Sequence, residues 1–80
     1  MFKLYTYSSC GFCERVRRTL KAEGIPFEEI DAERGTPGSE ELLRLGGKQQ
    51  VPFLVDEEAG VSMYESNEII DYARTHFKKD

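Results

Sequence analysis

Between Tyr7 and Cys13 the spacing of apolar side chains changes from every second residue to a helical period, and this switch fixes what can stand on either side of it. Phe2 to Tyr7 alternates, with Phe2, Leu4 and Thr6 on one face and Lys3, Tyr5 and Tyr7 on the other, as a strand does. Ser8-Ser9-Cys10-Gly11 supplies a turn. From Phe12 or Cys13 onward, Cys13, Val16 and Leu20 share one side of a helix, with Arg15, Arg17, Arg18 and Lys21 outside. Gly24 ends that helix, and Pro26 forbids its continuation. Phe27 to Asp31 reads as a second strand, so the first thirty residues predict a parallel β-α-β unit with a right-handed crossover.

The rest of the chain continues the alternation of elements. Thr36-Pro37-Gly38-Ser39 reads as a loop, with Ser39 the expected cap of a short helix through Leu42, Leu43 and Leu45 that Gly46-Gly47 closes. Val51 to Val55 is expected to be a third strand. An acidic hairpin loop, residues 56–60, leads to a fourth strand at Val61 to Tyr64. Ser66 is expected to cap a last helix whose Ile69, Ile70, Ala73 and Phe77 share a face. The predicted order is β-α-β-α-β-β-α: an α/β domain over residues 1–80 with a four-stranded mixed sheet and helices on both faces.

Composition bounds the function. With 80 residues there is no room for a second core, and no apolar run reaches the ~20 residues of a membrane-spanning helix. The start of the chain lacks the basic region and small-residue cleavage site of a signal peptide, so a cytoplasmic protein with no membrane partner is the expectation; a monomer is expected as well. A net charge of −4 argues against nucleic acid as a partner, because phosphate neutralisation needs a basic surface. The charge is segregated, with +3 in residues 1–24 and −7 in the remainder, which predicts a basic patch around the first helix.

Cys10-Gly11-Phe12-Cys13 is the sharpest chemical feature, through its position more than its spacing. A thiol between a strand and a helix faces unpaired backbone N–H groups and the positive end of the helix dipole, both of which favour the nucleophilic thiolate. Cys13, one turn later on the apolar side, is placed to attack a mixed disulfide formed at Cys10. A zinc site would need about four ligands, and His76, on the last helix, is the only other good candidate. A structural disulfide, or two inert buried cysteines, are the remaining alternatives. Val51-Pro52 is the second feature. It is either a plain strand-start proline or a cis-proline beside the dithiol that leaves the Val51 backbone free to pair with an extended, peptide-like ligand.

Three segments in this order, Cys10-Gly11-Phe12-Cys13, Gln50-Val51-Pro52-Phe53-Leu54-Val55 and Met63-Tyr64-Glu65-Ser66-Asn67-Glu68-Ile69-Ile70, make the whole chain resemble a dithiol glutaredoxin. The last two segments also resemble the glutathione-binding N-terminal domain of glutathione transferases. The resemblance implies a thioredoxin-like fold and a glutathione-dependent oxidoreductase acting on disulfide-containing or glutathionylated proteins. It implies Cys10 as nucleophile and Cys13 as resolving thiol, with Val51 pairing through its backbone to glutathione beside cis-Pro52. It implies Glu65 and Ser66 at the γ-glutamyl end, although Ser66 is equally suited to plain capping. No tightly bound cofactor is expected, with glutathione the electron donor. A [2Fe–2S] cluster held by Cys10 of two chains and by glutathione is the alternative.

Two positions depart from the family pattern. Gly11-Phe12 stands where many such proteins have Pro-Tyr, and Tyr7 stands where a lysine is frequent. The glycyl carboxylate of glutathione then needs another cation, for which Lys48 is the candidate, with Gln50 as a hydrogen-bond donor. Lys48 as an ordinary solvated loop residue is the plain alternative. Tyr5 and Tyr7 are read as packing residues or as walls of the substrate groove.

Overall fold

The strand that opens the chain lies inside its sheet, because its alternating side chains are apolar on both faces. In the computed structural model, which describes residues 2–77, the elements are β1 (Phe2–Thr6), α1 (Gly11–Ala22), β2 (Phe27–Asp31), α2 (Pro37–Gly46), β3 (Phe53–Asp56), β4 (Val61–Met63) and α3 (Ser66–His76). The sheet runs β2-β1-β3-β4, with β1 parallel to β2 and the remaining pairs antiparallel. Leu4 points into a core shared with Val16, Leu20, Ile69 and Ala73, so α1 and α3 cover that face. Tyr5 points the other way, onto Leu42, Phe53 and Val55 under α2. The alternation of elements gave the four-stranded mixed sheet with helices on both faces, and the architecture is the thioredoxin-like one that the resemblance implied. No helix among the described residues is long and apolar enough to cross a membrane.

Several boundaries differ from the sequence expectation, each for a local reason. α1 starts at Gly11, with Cys10 itself as the N-cap. α2 is capped by Thr36, not Ser39: Pro37 occupies the first turn, where its missing N–H costs nothing, and the Thr36 side chain accepts the Ser39 N–H at 3.1 Å. Ser39 is instead buried, its hydroxyl donating to Gln49 Oε1 at 2.6 Å. β3 begins at Phe53 and not Val51, since Pro52 has no N–H for the ladder, and it runs on through Asp56 opposite Phe2. β1 stops at Thr6 and β4 at Met63, one residue earlier than expected. Ser66 is the first residue of α3 and not its cap; Glu65 takes the cap position, without a side-chain bond to the helix.

Candidate active site

Strand direction brings the motifs together. β1 ends, β3 begins and β4 ends at the same edge of the sheet, and α1 and α3 both start there. Tyr5 pairs with Phe53, so the same register carried two residues further sets Tyr7 beside Val51. Leu54 pairs with Met63, which by the same extension sets Pro52 opposite Glu65. Cys10, Val51, Pro52, Glu65 and Ser66 thus gather at one edge.

The two thiols are free and unlike one another. Cys10 is half-buried with extended backbone (φ −98°, ψ 118°), and its Sγ accepts the backbone N–H of Cys13 at 3.2 Å. One N–H of the first helical turn is therefore aimed at sulfur. Cys13 has no solvent exposure. Burial, reinforced by its bond to Cys10, pushes the Cys13 thiol up to about 12, against the pull of the Tyr7 backbone N–H. The pair consists of an accessible sulfur and a sealed, protonated one. Gly11 has open space around it, and Phe12 is 66% exposed beside Cys10.

The basic patch is thinner than the sequence suggests. Arg17 lies against Glu29 on β2, donating through Nε at 2.8 Å, and also pairs with Glu14, so its charge is largely answered. Both carboxylates raise its already high pKa. Arg15 and Arg18 stay exposed on the outer side of α1.

The Val51-Pro52 peptide is cis, with Pro52 buried and Val51 half-buried. Ahead of it, Lys48 and Gln50 are exposed while Gln49 turns inward. Lys48 Nζ sits over the Tyr64 ring, 5.7 Å from its centroid. Gln49 Nε2 donates to Tyr7 Oη at 2.7 Å and to the Ala32 carbonyl at 2.9 Å, which ties this loop to the end of β1. At the start of α3, Ser66 is half-buried and Glu65 is exposed.

Tyr5 is a packing residue: it is wholly buried and its hydroxyl donates to Glu41, so its pKa is raised, mainly by burial. Tyr7 is half-buried and held by Gln49. Gln49 and Tyr64 were not singled out from sequence. Continuing the alternation of β4 past Ser62 would have turned Tyr64 toward α2, but Gln49 offers no local signal within Lys48-Gln49-Gln50. Among the described residues no three His, Cys, Asp or Glu side chains form a metal-binding group. A groove of about 460 Å³ between Phe2, Asp56, Tyr72 and His76 lies at the opposite end of β1 from the thiols.

Residues 4–79 match the family described as glutathione S-transferase, N-terminal domain. A probable glutaredoxin of Synechocystis is 33% identical over 61 residues, which cover 72% of this chain and 69% of that protein. The chain belongs to the glutaredoxin-like proteins of the thioredoxin superfamily. Glutaredoxin 3 of Escherichia coli strain K12 is 28% identical to this glutaredoxin-like chain over 50 residues, 62% of the chain but only 60% of the relative. The structure of Salmonella typhimurium glutaredoxin 2 in complex with glutathione superimposes with a TM-score of 0.74 at 28% identity, covering 90% of this chain and 32% of that one.

Proposed function

We propose that this glutaredoxin-like chain is a glutathione-dependent thiol–disulfide oxidoreductase of a reducing, cytoplasmic compartment, acting on protein disulfides and on glutathione mixed disulfides. The observation that carries the reading is the division between the half-buried Cys10, whose sulfur accepts a helix N–H, and the sealed Cys13 one turn below. The Cys10 thiolate attacks a glutathionylated cysteine at the glutathione sulfur, releases the protein thiol and becomes a Cys10–glutathione mixed disulfide. A second glutathione attacks that sulfur, leaving oxidised glutathione and a free Cys10.

On a protein disulfide, Cys10 forms a mixed disulfide with the protein and Cys13 resolves it. The Cys13 proton passes to the departing substrate thiolate, and two glutathiones then reduce the Cys10–Cys13 bond. Holding Cys13 protonated keeps it from competing as a nucleophile until the mixed disulfide sits above it. Val51, half-buried just ahead of β3 at the same edge, suits backbone pairing with the cysteinyl part of glutathione. The start of α3 at Ser66, with Glu65 beside it, suits the γ-glutamyl carboxylate, and Lys48 and Gln50 suit the glycyl one. Similarity to a glutaredoxin solved with glutathione supports the donor.

Two variants assayed on two substrates test the mechanism. Cys10→Ser is expected to abolish both reactions, whereas Cys13→Ser spares reduction of a glutathionylated protein and loses reduction of a protein disulfide. Equal loss from both variants on the glutathionylated substrate would refute the division of labour.

A further inference from the structure

Tyr64 stands between Met63 at the end of β4 and Glu65 at the cap of α3, and its ring lies 4.6 Å centroid to centroid from Phe53. Its hydroxyl makes both bonds a phenol can make to one residue of the chain: it accepts the Lys48 N–H at 3.1 Å and donates to the Lys48 carbonyl at 3.1 Å. Gly46, at the end of α2, makes this possible. A Cβ there would collide with the Tyr64 hydroxyl and lie 2.7 Å from Cζ, so a side chain at this position would displace the phenol from Lys48.

On its other side the same loop is held by Gln49, whose amide bonds Tyr7, Ala32 and Ser39. Tyr64 clamps the backbone at Lys48 and the Gln49 side chain is fixed inward, which leaves the Lys48 and Gln50 side chains exposed, Lys48 Nζ over the Tyr64 ring, and Val51 half-buried beside them.

From this we infer that Tyr64 is a positioning residue for glutathione, pre-ordering residues 47–52 so that the strand edge and the Lys48 charge meet the tripeptide without a further ordering cost. The inference rests on the glutathione-dependent reading above. Tyr64 itself touches the loop and not the reacting sulfurs, so its loss weakens glutathione binding and leaves the thiol chemistry alone.

Tyr64→Phe keeps the ring and removes only the hydroxyl. With a glutathionylated substrate, the KM for glutathione is expected to rise by roughly five- to tenfold, with kcat at saturating glutathione within about twofold of wild type. The dithiothreitol-driven reduction of the Cys10–Cys13 disulfide, which does not use the tripeptide edge, stays unchanged. Hydrogen exchange at the Lys48 amide is expected to quicken by about tenfold or more in the variant. Gly46→Ala, which displaces the same hydroxyl, raises KM similarly and adds little in the Tyr64→Phe background, as two changes in one contact do. A glutathione-dependent wild type whose KM is unmoved by Tyr64→Phe would overturn the positioning role alone. A wild type indifferent to glutathione but active with dithiothreitol would overturn the glutathione reading and this inference with it.

Discussion

Ser66 illustrates how a side chain can suit two roles, of which the fold does not use the capping one. From sequence it is a good helix cap, and capping accounts for such a residue without any ligand. In the fold the cap position belongs to Glu65, and the Ser66 hydroxyl has no hydrogen-bond partner among the described residues although it is half-buried at the first turn of α3. A capping role and the proposed ligand role can therefore be told apart at this position. Ser66→Ala is expected to leave the melting temperature unchanged, because no cap is removed. It is expected to raise the KM for glutathione by about fivefold, the equivalent of one hydrogen bond of about 1 kcal/mol. A fall in thermal stability with no change across a glutathione titration would return Ser66 to a structural role. Cys13 was more legible: its place on the apolar stripe with Val16 and Leu20 foretold burial, and burial is the main cause of its raised pKa.

At the scale of elements, the contact of α1 with the edge strand β2 is made polar by Arg17. Its guanidinium meets Glu29, which also accepts from Thr6 Oγ1 at 2.8 Å, so α1, β1 and β2 converge on one carboxylate. Arg17 above all holds the Glu29 carboxyl below its usual range, with burial opposing and Thr6 helping. A depressed folded-state pKa means that the unfolded chain takes up its proton first. The contribution of Glu29 is thus fully present above the unfolded value of about 4.3 and is lost as pH falls through the folded one. Glu29→Gln is expected to lower stability at pH 7 by up to about 1 kcal/mol, the scale of a partly exposed pair. Urea unfolding followed against pH should show that difference shrinking below about pH 4; a gap that stays constant down to pH 3 would assign the effect to something other than charge. Arg17 was legible as an outward basic residue, but its partner was not, because pairing residue 17 with residue 29 needs the register of β2 against β1.

For the whole molecule, order and topology were legible because each segment's apolar period agrees with the element it forms, and β1 is apolar on both faces as a central strand must be. What sequence left open depended on contacts between distant segments: the Gln49 network, the Tyr64–Lys48 clamp and the choice of Thr36 over Ser39 as cap. The same distinction bears on the alternative of a cluster-carrying dimer. A [2Fe–2S] cluster takes four ligands, and this chain offers it one half-buried thiol, Cys10, with open space at Gly11. Cys13 is sealed beneath, close enough for its N–H to bond the Cys10 sulfur, so a cluster would need a second chain and two glutathione sulfurs. Oxidation would withdraw the protein ligand, because Cys13 is at hand to form a disulfide with Cys10. The −4 charge on each copy also opposes bringing two of them together unless their more basic α1 ends are neutralised by the ligands they share. Anaerobic incubation with iron, sulfide and glutathione, followed by size-exclusion chromatography with absorbance detection, is therefore expected to return a colourless monomer. A visible chromophore on a dimer, lost in Cys10→Ser and weakened in Gly11→Pro, would instead show that the space beside Gly11 admits a cluster and that Cys10 serves as its ligand.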